Sequence, residues 1–92
     1  MRITVSYLAQ VRRAAGTAAE TFEVPDGSTV DDVVAVLAGR KGDAFKRLVL
    51  SDAGRLRTSV LLFVGEESAR GQGGRTLRDG DEMTFLSPLA GG

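Results

Sequence analysis

The stretch VPDGSTVDDVVAVL, Val24 to Leu37, decides the fold. Pro25-Asp26-Gly27 is turn chemistry and ends the strand before it. Ser28 and Thr29 are both suitable N-caps, and Asp31 and Asp32 favour the positive end of a helix dipole. Thr29 followed three residues later by Asp32 is a shortened capping box. Behind the cap, Val30, Val33, Val34 and Leu37 fall at i, i+3, i+4 and i+7, an apolar stripe along one side of a helix. The valines oppose helix propensity by roughly a few tenths of a kcal/mol each. Burial of the stripe outweighs them, because packing supplies most helix stability. Gly39 or Gly42 is the expected stop, with Arg40 and Lys41 complementing the carboxyl end.

Upstream of this helix, residues 1–8 put Ile3, Val5 and Tyr7 on one face and Arg2, Thr4 and Ser6 on the other. That period of two predicts a half-buried strand. Residues 9–17, with Arg12, Arg13 and Gly16, read as a polar connection to a second strand over about 18–24, with Phe22 and Val24 inward. The two strands form an antiparallel hairpin. Downstream, residues 43–50 predict a short helical turn with Phe45, Leu48 and Val49 on its apolar side. The continuous run SVLLFV, residues 59–64, reads as a strand buried on both faces. Residues 65–75 are a glycine-rich loop, Leu77 plugs the core, and Met83 and Phe85 alternate in a last strand over 82–86. Pro88 cannot donate to a sheet ladder, so the strand ends before it.

The order is strand, strand, helix, strand, strand. Pairing the first and last strands in parallel, with a right-handed crossover by the helix, is the most economical arrangement. This is an α+β fold: a ubiquitin-like β-grasp, with a mixed four- to five-stranded sheet and one main helix on one face. Residues 1–92 form one domain, with 87–92 as an exposed tail.

Composition narrows the chemistry. The chain has 92 residues, no Cys and no His. Disulfides, thiolate nucleophiles and thiolate zinc sites are excluded, and the usual general base is missing. Twelve basic and twelve acidic residues cancel, which argues against a protein built to grip nucleic acid or an anionic membrane. No stretch approaches the roughly 20 apolar residues that span a bilayer. The start MRITV lacks a signal-peptide core, so the expected compartment is the cytoplasm.

Several motifs have plain readings. Gly71-Gln72-Gly73-Gly74 lacks the Gly-Lys-Ser/Thr ending and the following helix of a phosphate loop, and reads as a flexible loop. Asp79, Asp81 and Glu82 resemble a cation site but fit a tight turn before a strand, so no metal site is expected. The pairs Arg12-Arg13, Arg40-Lys41 and Lys46-Arg47 read as solvated surface, or as a face for an acidic patch on a partner protein.

The tail Ser87-Pro88-Leu89-Ala90-Gly91-Gly92 is the sharpest signal. Its bland reading is a frayed terminus. Against that, proline stiffens its root and Leu89 is apolar where a solvated end favours polar groups. Fully extended, six residues reach about 20 Å. Two glycines pass through a channel that admits little more than backbone. A terminal carboxylate at Gly92 is then the one functional group that can be delivered deep into another enzyme.

These residues resemble the ubiquitin-like sulfur carriers of the MoaD and ThiS type over nearly the whole chain. Tyr7-Leu8-Ala9 with Arg12-Arg13-Ala14-Ala15-Gly16 resembles the family's first strand and loop, and Val24 to Asp32 its helix entry. Leu77-Arg78-Asp79-Gly80-Asp81-Glu82-Met83, followed by Pro88-Leu89-Ala90-Gly91-Gly92, resembles its closing pattern. Two positions depart from it. Ser87 stands where molybdopterin-type members commonly have proline, and Val64-Gly65-Glu66 lacks the usual Asn-Gly turn.

The resemblance implies that the chain is no enzyme and binds no cofactor of its own. A ubiquitin-activating-type partner uses ATP and Mg²⁺ to adenylate Gly92, and sulfur from a persulfide then yields a thiocarboxylate. A second partner, the large subunit of molybdopterin synthase or an analogue, accepts that sulfur. Pro88, Leu89, Ala90, Gly91 and Gly92 would thread the partner's active site. Phe63, Phe85 and Leu86 are candidates for the apolar sheet surface that partners touch, or plain core residues. Molybdopterin synthesis is the leading pathway. Carriers for cysteine, thiamine, tRNA thiolation or secondary metabolites remain alternatives, as do a ubiquitin-like protein modifier and a binding module with an inert tail.

Overall fold

The computed structural model describes residues 1–87. Strand β1 (Arg2–Leu8) leads into helix α1 (Ala9–Ala15), then β2 (Ala19–Glu23), α2 (Val30–Lys41), α3 (Asp43–Val49), β3 (Leu61–Val64), β4 (Glu67–Ser68) and β5 (Glu82–Ser87). The five strands form one sheet in the order β2-β1-β5-β3-β4. β1 and β5 run parallel at its centre, with Val5 opposite Met83 and Tyr7 opposite Phe85. β2 joins β1 antiparallel, and β3 joins both β5 and β4 antiparallel. This is the expected mixed sheet, with five strands.

The helix entry forms as its residues dictate. The Thr29 hydroxyl accepts the Asp32 N–H at 3.2 Å, and the Asp32 carboxylate accepts the Thr29 N–H at 2.9 Å. Two otherwise unpaired donors of the first turn are thereby satisfied. α2 passes through Gly39 and stops at Gly42. Its buried stripe of Val30, Val33, Val34 and Leu37 packs on Ile3, Val5, Tyr7, Leu62, Met83 and Phe85 of the sheet. At the centre, the rings of Tyr7, Phe45 and Phe85 lie 5.9–6.1 Å apart, within the range of favourable aromatic pairing. Leu77 is buried as expected.

Three expectations need correction. Residues 9–15 are helix α1, not a polar connection. Val11 and Ala15, four residues apart, face the core, and Gly16 closes the turn in the left-handed region with φ 82°, its N–H bonded to the Arg12 carbonyl. Seven residues are too few for helical periodicity to declare itself. Next, SVLLFV is not buried on both faces: Val60, Leu62 and Val64 are buried, while Leu61 and Phe63 are half-exposed. The helices cover only one side of this largely antiparallel sheet. Finally, residues 65–75 are not all loop: Glu67 and Ser68 pair with β3 as the short strand β4, and the glycines that follow are held in place. Gly73 accepts the Asp31 N–H at 3.0 Å, and a side chain at Gly73 would meet the Asp31 carboxylate. Arg70 donates to the carbonyls of Val60 and Thr58 at 2.6 and 3.1 Å.

The turn before β5 is as predicted. Gly80 has φ 86°, and Asp81 N–H bonds the Arg78 carbonyl at 3.0 Å. The Asp79 carboxylate accepts the Arg2 N–H at 2.7 Å, so this acid starts the central strand pair. Among the described residues no cluster of acids is arranged to hold a metal ion.

Candidate functional site

Alternation and register place the site. On the sheet face without helices, Leu8, Leu86 and Leu61 align across β1, β5 and β3, and Ser6, Thr84 and Phe63 align in the row beside them. Leu8 is 46% exposed, and Leu61, Phe63 and Leu86 are half-buried. Among the described residues, four partly exposed apolar side chains thus meet in a corner at the end of β5. Contiguous exposed apolar surface of this kind marks an interaction site more often than a solitary leucine does. Ser87, expected as the first residue of the exposed tail, is instead the buried last residue of β5, because its backbone pairs with Ala9 at the same corner. There the chain turns into α1 through Ala9, whose φ of 56° is, among the described residues, the one left-handed value outside glycine.

Of the three candidate surface residues, Phe63 and Leu86 lie on this corner. Phe85 does not: it is fully buried on the helix-covered face, stacked near Tyr7 and Phe45. Its odd-numbered neighbours Met83 and Ser87 share that face, so strand alternation alone withdraws it from any contact surface. Leu8 and Leu61 were missed. Parity was the available signal, since Leu8 shares the outward set of Arg2, Thr4 and Ser6, and Leu61 shares the side of Phe63. Pro88, Leu89, Ala90, Gly91 and Gly92 lie outside the described residues.

The helix-covered face holds one polar cluster. Tyr7 Oη donates to Glu20 Oε2 at 3.1 Å. Lys41 pairs with the same carboxylate and donates to the Ala15 carbonyl at 3.3 Å. Burial, then the hydrogen bond and charge of Glu20, push the Tyr7 hydroxyl well above the usual phenol range. The phenol is therefore held neutral as a donor. The cluster ties β1, β2, α1 and α2 together. It faces away from the open corner.

A parallel β1–β5 pair, a helical crossover and an open apolar corner define the class: a ubiquitin-like β-grasp protein. The chain belongs to the ThiS family, whose model matches residues 5–92. It is 30% identical to the molybdopterin synthase sulfur carrier subunit of Chlamydomonas reinhardtii over 93 residues, covering all of both chains. The crystal structure of SAMP1, a small archaeal modifier protein from Haloferax volcanii, covers all of both chains with a TM-score of 0.87 at 25% identity. CysO of Mycobacterium tuberculosis matches with a TM-score of 0.70 at 27% identity, over 95% of this chain and 99% of that one. The relatives are thus small ubiquitin-like sulfur carriers and modifiers.

Proposed function

We propose that this chain carries sulfur as a thiocarboxylate at Gly92, in molybdopterin synthesis, as the small subunit of the synthase. The observation that carries the reading is the end-to-end match to a curated sulfur carrier subunit, within a family model that runs through Gly92. The open corner beside Ser87 supports it, because a partner seated there also receives the residues that follow.

The chemistry belongs to the partners. An adenylating enzyme of the ubiquitin-activating type joins the Gly92 carboxylate to the α-phosphate of ATP, with Mg²⁺, and releases pyrophosphate. A persulfide sulfur attacks the acyl-adenylate and AMP leaves. A thiol then cleaves the donor's sulfur–sulfur bond, so one carboxylate oxygen has been exchanged for sulfur. The synthase's large subunit takes that sulfur for its precursor. Nothing in this sequence needs Cys or His for these steps, since electrostatic stabilisation and nucleotide binding are the activating enzyme's task. This domain contributes a grip, formed by Leu8, Leu61, Phe63 and Leu86, and a deliverable carboxylate.

The experiment is incubation with a cognate adenylating enzyme, ATP, Mg²⁺ and a persulfide donor, read by intact mass. Replacement of one oxygen by sulfur at Gly92 supports the reading. Appending one residue after Gly92 should abolish the exchange and leave the melting temperature unchanged. An unchanged mass with an enzyme that activates another carrier would overturn it. Similarity to the small archaeal modifier protein favours a second reading, attachment of Gly92 to protein lysines.

A further inference from the structure

Zero net charge conceals a segregation of charge along β1 and β5. At the end where Ser87 lies, α1 carries Arg12 and Arg13 with no acid, and α3, which packs against α1, carries Lys46 and Arg47 with one acid, Asp43. All four cations are exposed, and none forms an ion pair among the described residues. Arg12 and Arg13 line a cleft with Gln10, Gly16, Thr17 and Ser87 itself. At the opposite end of the same strands stand Glu23, Asp26, Asp79, Asp81 and Glu82, against Arg2 and Arg78. Of these cations, Arg2 is paired with Glu23. The cationic end of the molecule is the end from which the chain leaves the sheet.

We infer that Arg12, Arg13, Lys46 and Arg47 form a docking pole for an acidic segment of a partner protein, one that borders the entrance receiving the residues after Ser87. Naming that entrance rests on the proposed function; the pole itself rests on charge and position. Unpaired exposed cations are repelled by one another and gain when an acidic surface approaches. The Debye length at physiological salt is about 8 Å, so a charge beside Ser87 acts on whatever sits at the corner. Segregated charge also orients the molecule in a partner's field before contact and speeds productive encounter. The pole borders an apolar corner of leucines and one phenylalanine, with no row of aromatic rings for stacked bases, so a protein segment fits it better than single-stranded nucleic acid.

The test has two arms. In the first, amide shifts of the full chain are followed by NMR during titration with hexaglutamate. Shifts confined to residues 9–17 and 43–49, lost in the Arg12→Glu/Arg13→Glu variant and at about 1 M salt, where the Debye length falls to about 3 Å, are the expected result. Shifts spread evenly over both ends of the molecule, or absent, overturn the inference. Displacement of hexaglutamate by a short oligothymidylate at equal or lower concentration also overturns it, in favour of nucleic acid. In the second arm, the same variant should lower kcat/KM for adenylation roughly tenfold through KM, with a flatter salt dependence, whereas Glu66→Lys leaves it unchanged. Unaltered kinetics in the Arg12→Glu/Arg13→Glu variant overturn the inference and leave sulfur transfer standing. A positive peptide map with no adenylation of the wild-type chain sinks the sulfur reading and leaves the pole.

Discussion

Tyr7 joins the aromatic centre of the core to its polar cluster. Its ring packs on Phe45 and Phe85, and its hydroxyl reaches Glu20, which Lys41 neutralises from the end of α2. Because the folded phenol titrates above its unfolded value near 10, the contribution is fully present below that pH. It is lost as pH rises through the alkaline range, at about 1.4 kcal/mol per pH unit. Denaturant unfolding should therefore show a midpoint that falls steeply above about pH 10. In the Tyr7→Phe variant that fall should flatten, after a loss at neutral pH of about 1 kcal/mol for the missing hydrogen bond. Equal alkaline slopes in the two proteins would remove Tyr7 from this role. The inward position of Tyr7 was legible from the period of two in residues 1–8. Glu20 was not, since a charge on the inner face of edge strand β2 makes sense only once Lys41 arrives from residue 41.

At the scale of elements, α2 was readable in detail and α1 was not. A cap, a stripe and a stop spread over fourteen residues agree with one another, whereas α1 offers one apolar pair and a glycine. Thr29→Ala should cost about 1 kcal/mol by removing the acceptor for Asp32 N–H, measured as a shift in the unfolding midpoint. β3 gives a sharper contrast, because its two faces do different work. Leu62→Ala on the covered face should cost about 2–5 kcal/mol. Phe63→Ser, one residue away on the open face, should cost under about 1.5 kcal/mol yet weaken partner binding by more than about 1 kcal/mol. Calorimetry for stability and titration against the adenylating enzyme separate the two effects. A Phe63→Ser protein that binds normally would show that the open corner is not the contact surface. SVLLFV reads as doubly buried because hydrophobicity does not reveal whether a strand's second face meets a helix or a partner.

Across the whole molecule, the arrangement of strands does the positioning. Chain reversal through β2, α2 and β3 leaves the last strand beside the first at the sheet's centre, with β1 and β3 flanking its end. Ser87 is thereby presented between an apolar corner and a cationic pole on a body whose core is closed without Cys. The antiparallel β1–β2 pair and the parallel β1–β5 pair were legible from element order, whereas β4 was not, since two residues are too short to show a period of two. The charge segregation was not, because the total is zero and the acidic and basic residues separate only when β1 and β5 are laid side by side.

The most direct measurement is mass spectrometry of this chain's C-terminal peptide, isolated from the host under conditions that preserve thioacids. The account predicts a fraction carrying sulfur in place of one oxygen on Gly92, rising when the synthase's large subunit is removed. A Gly92 found only as a free carboxylate, or only in isopeptide linkage to lysine, would contradict it.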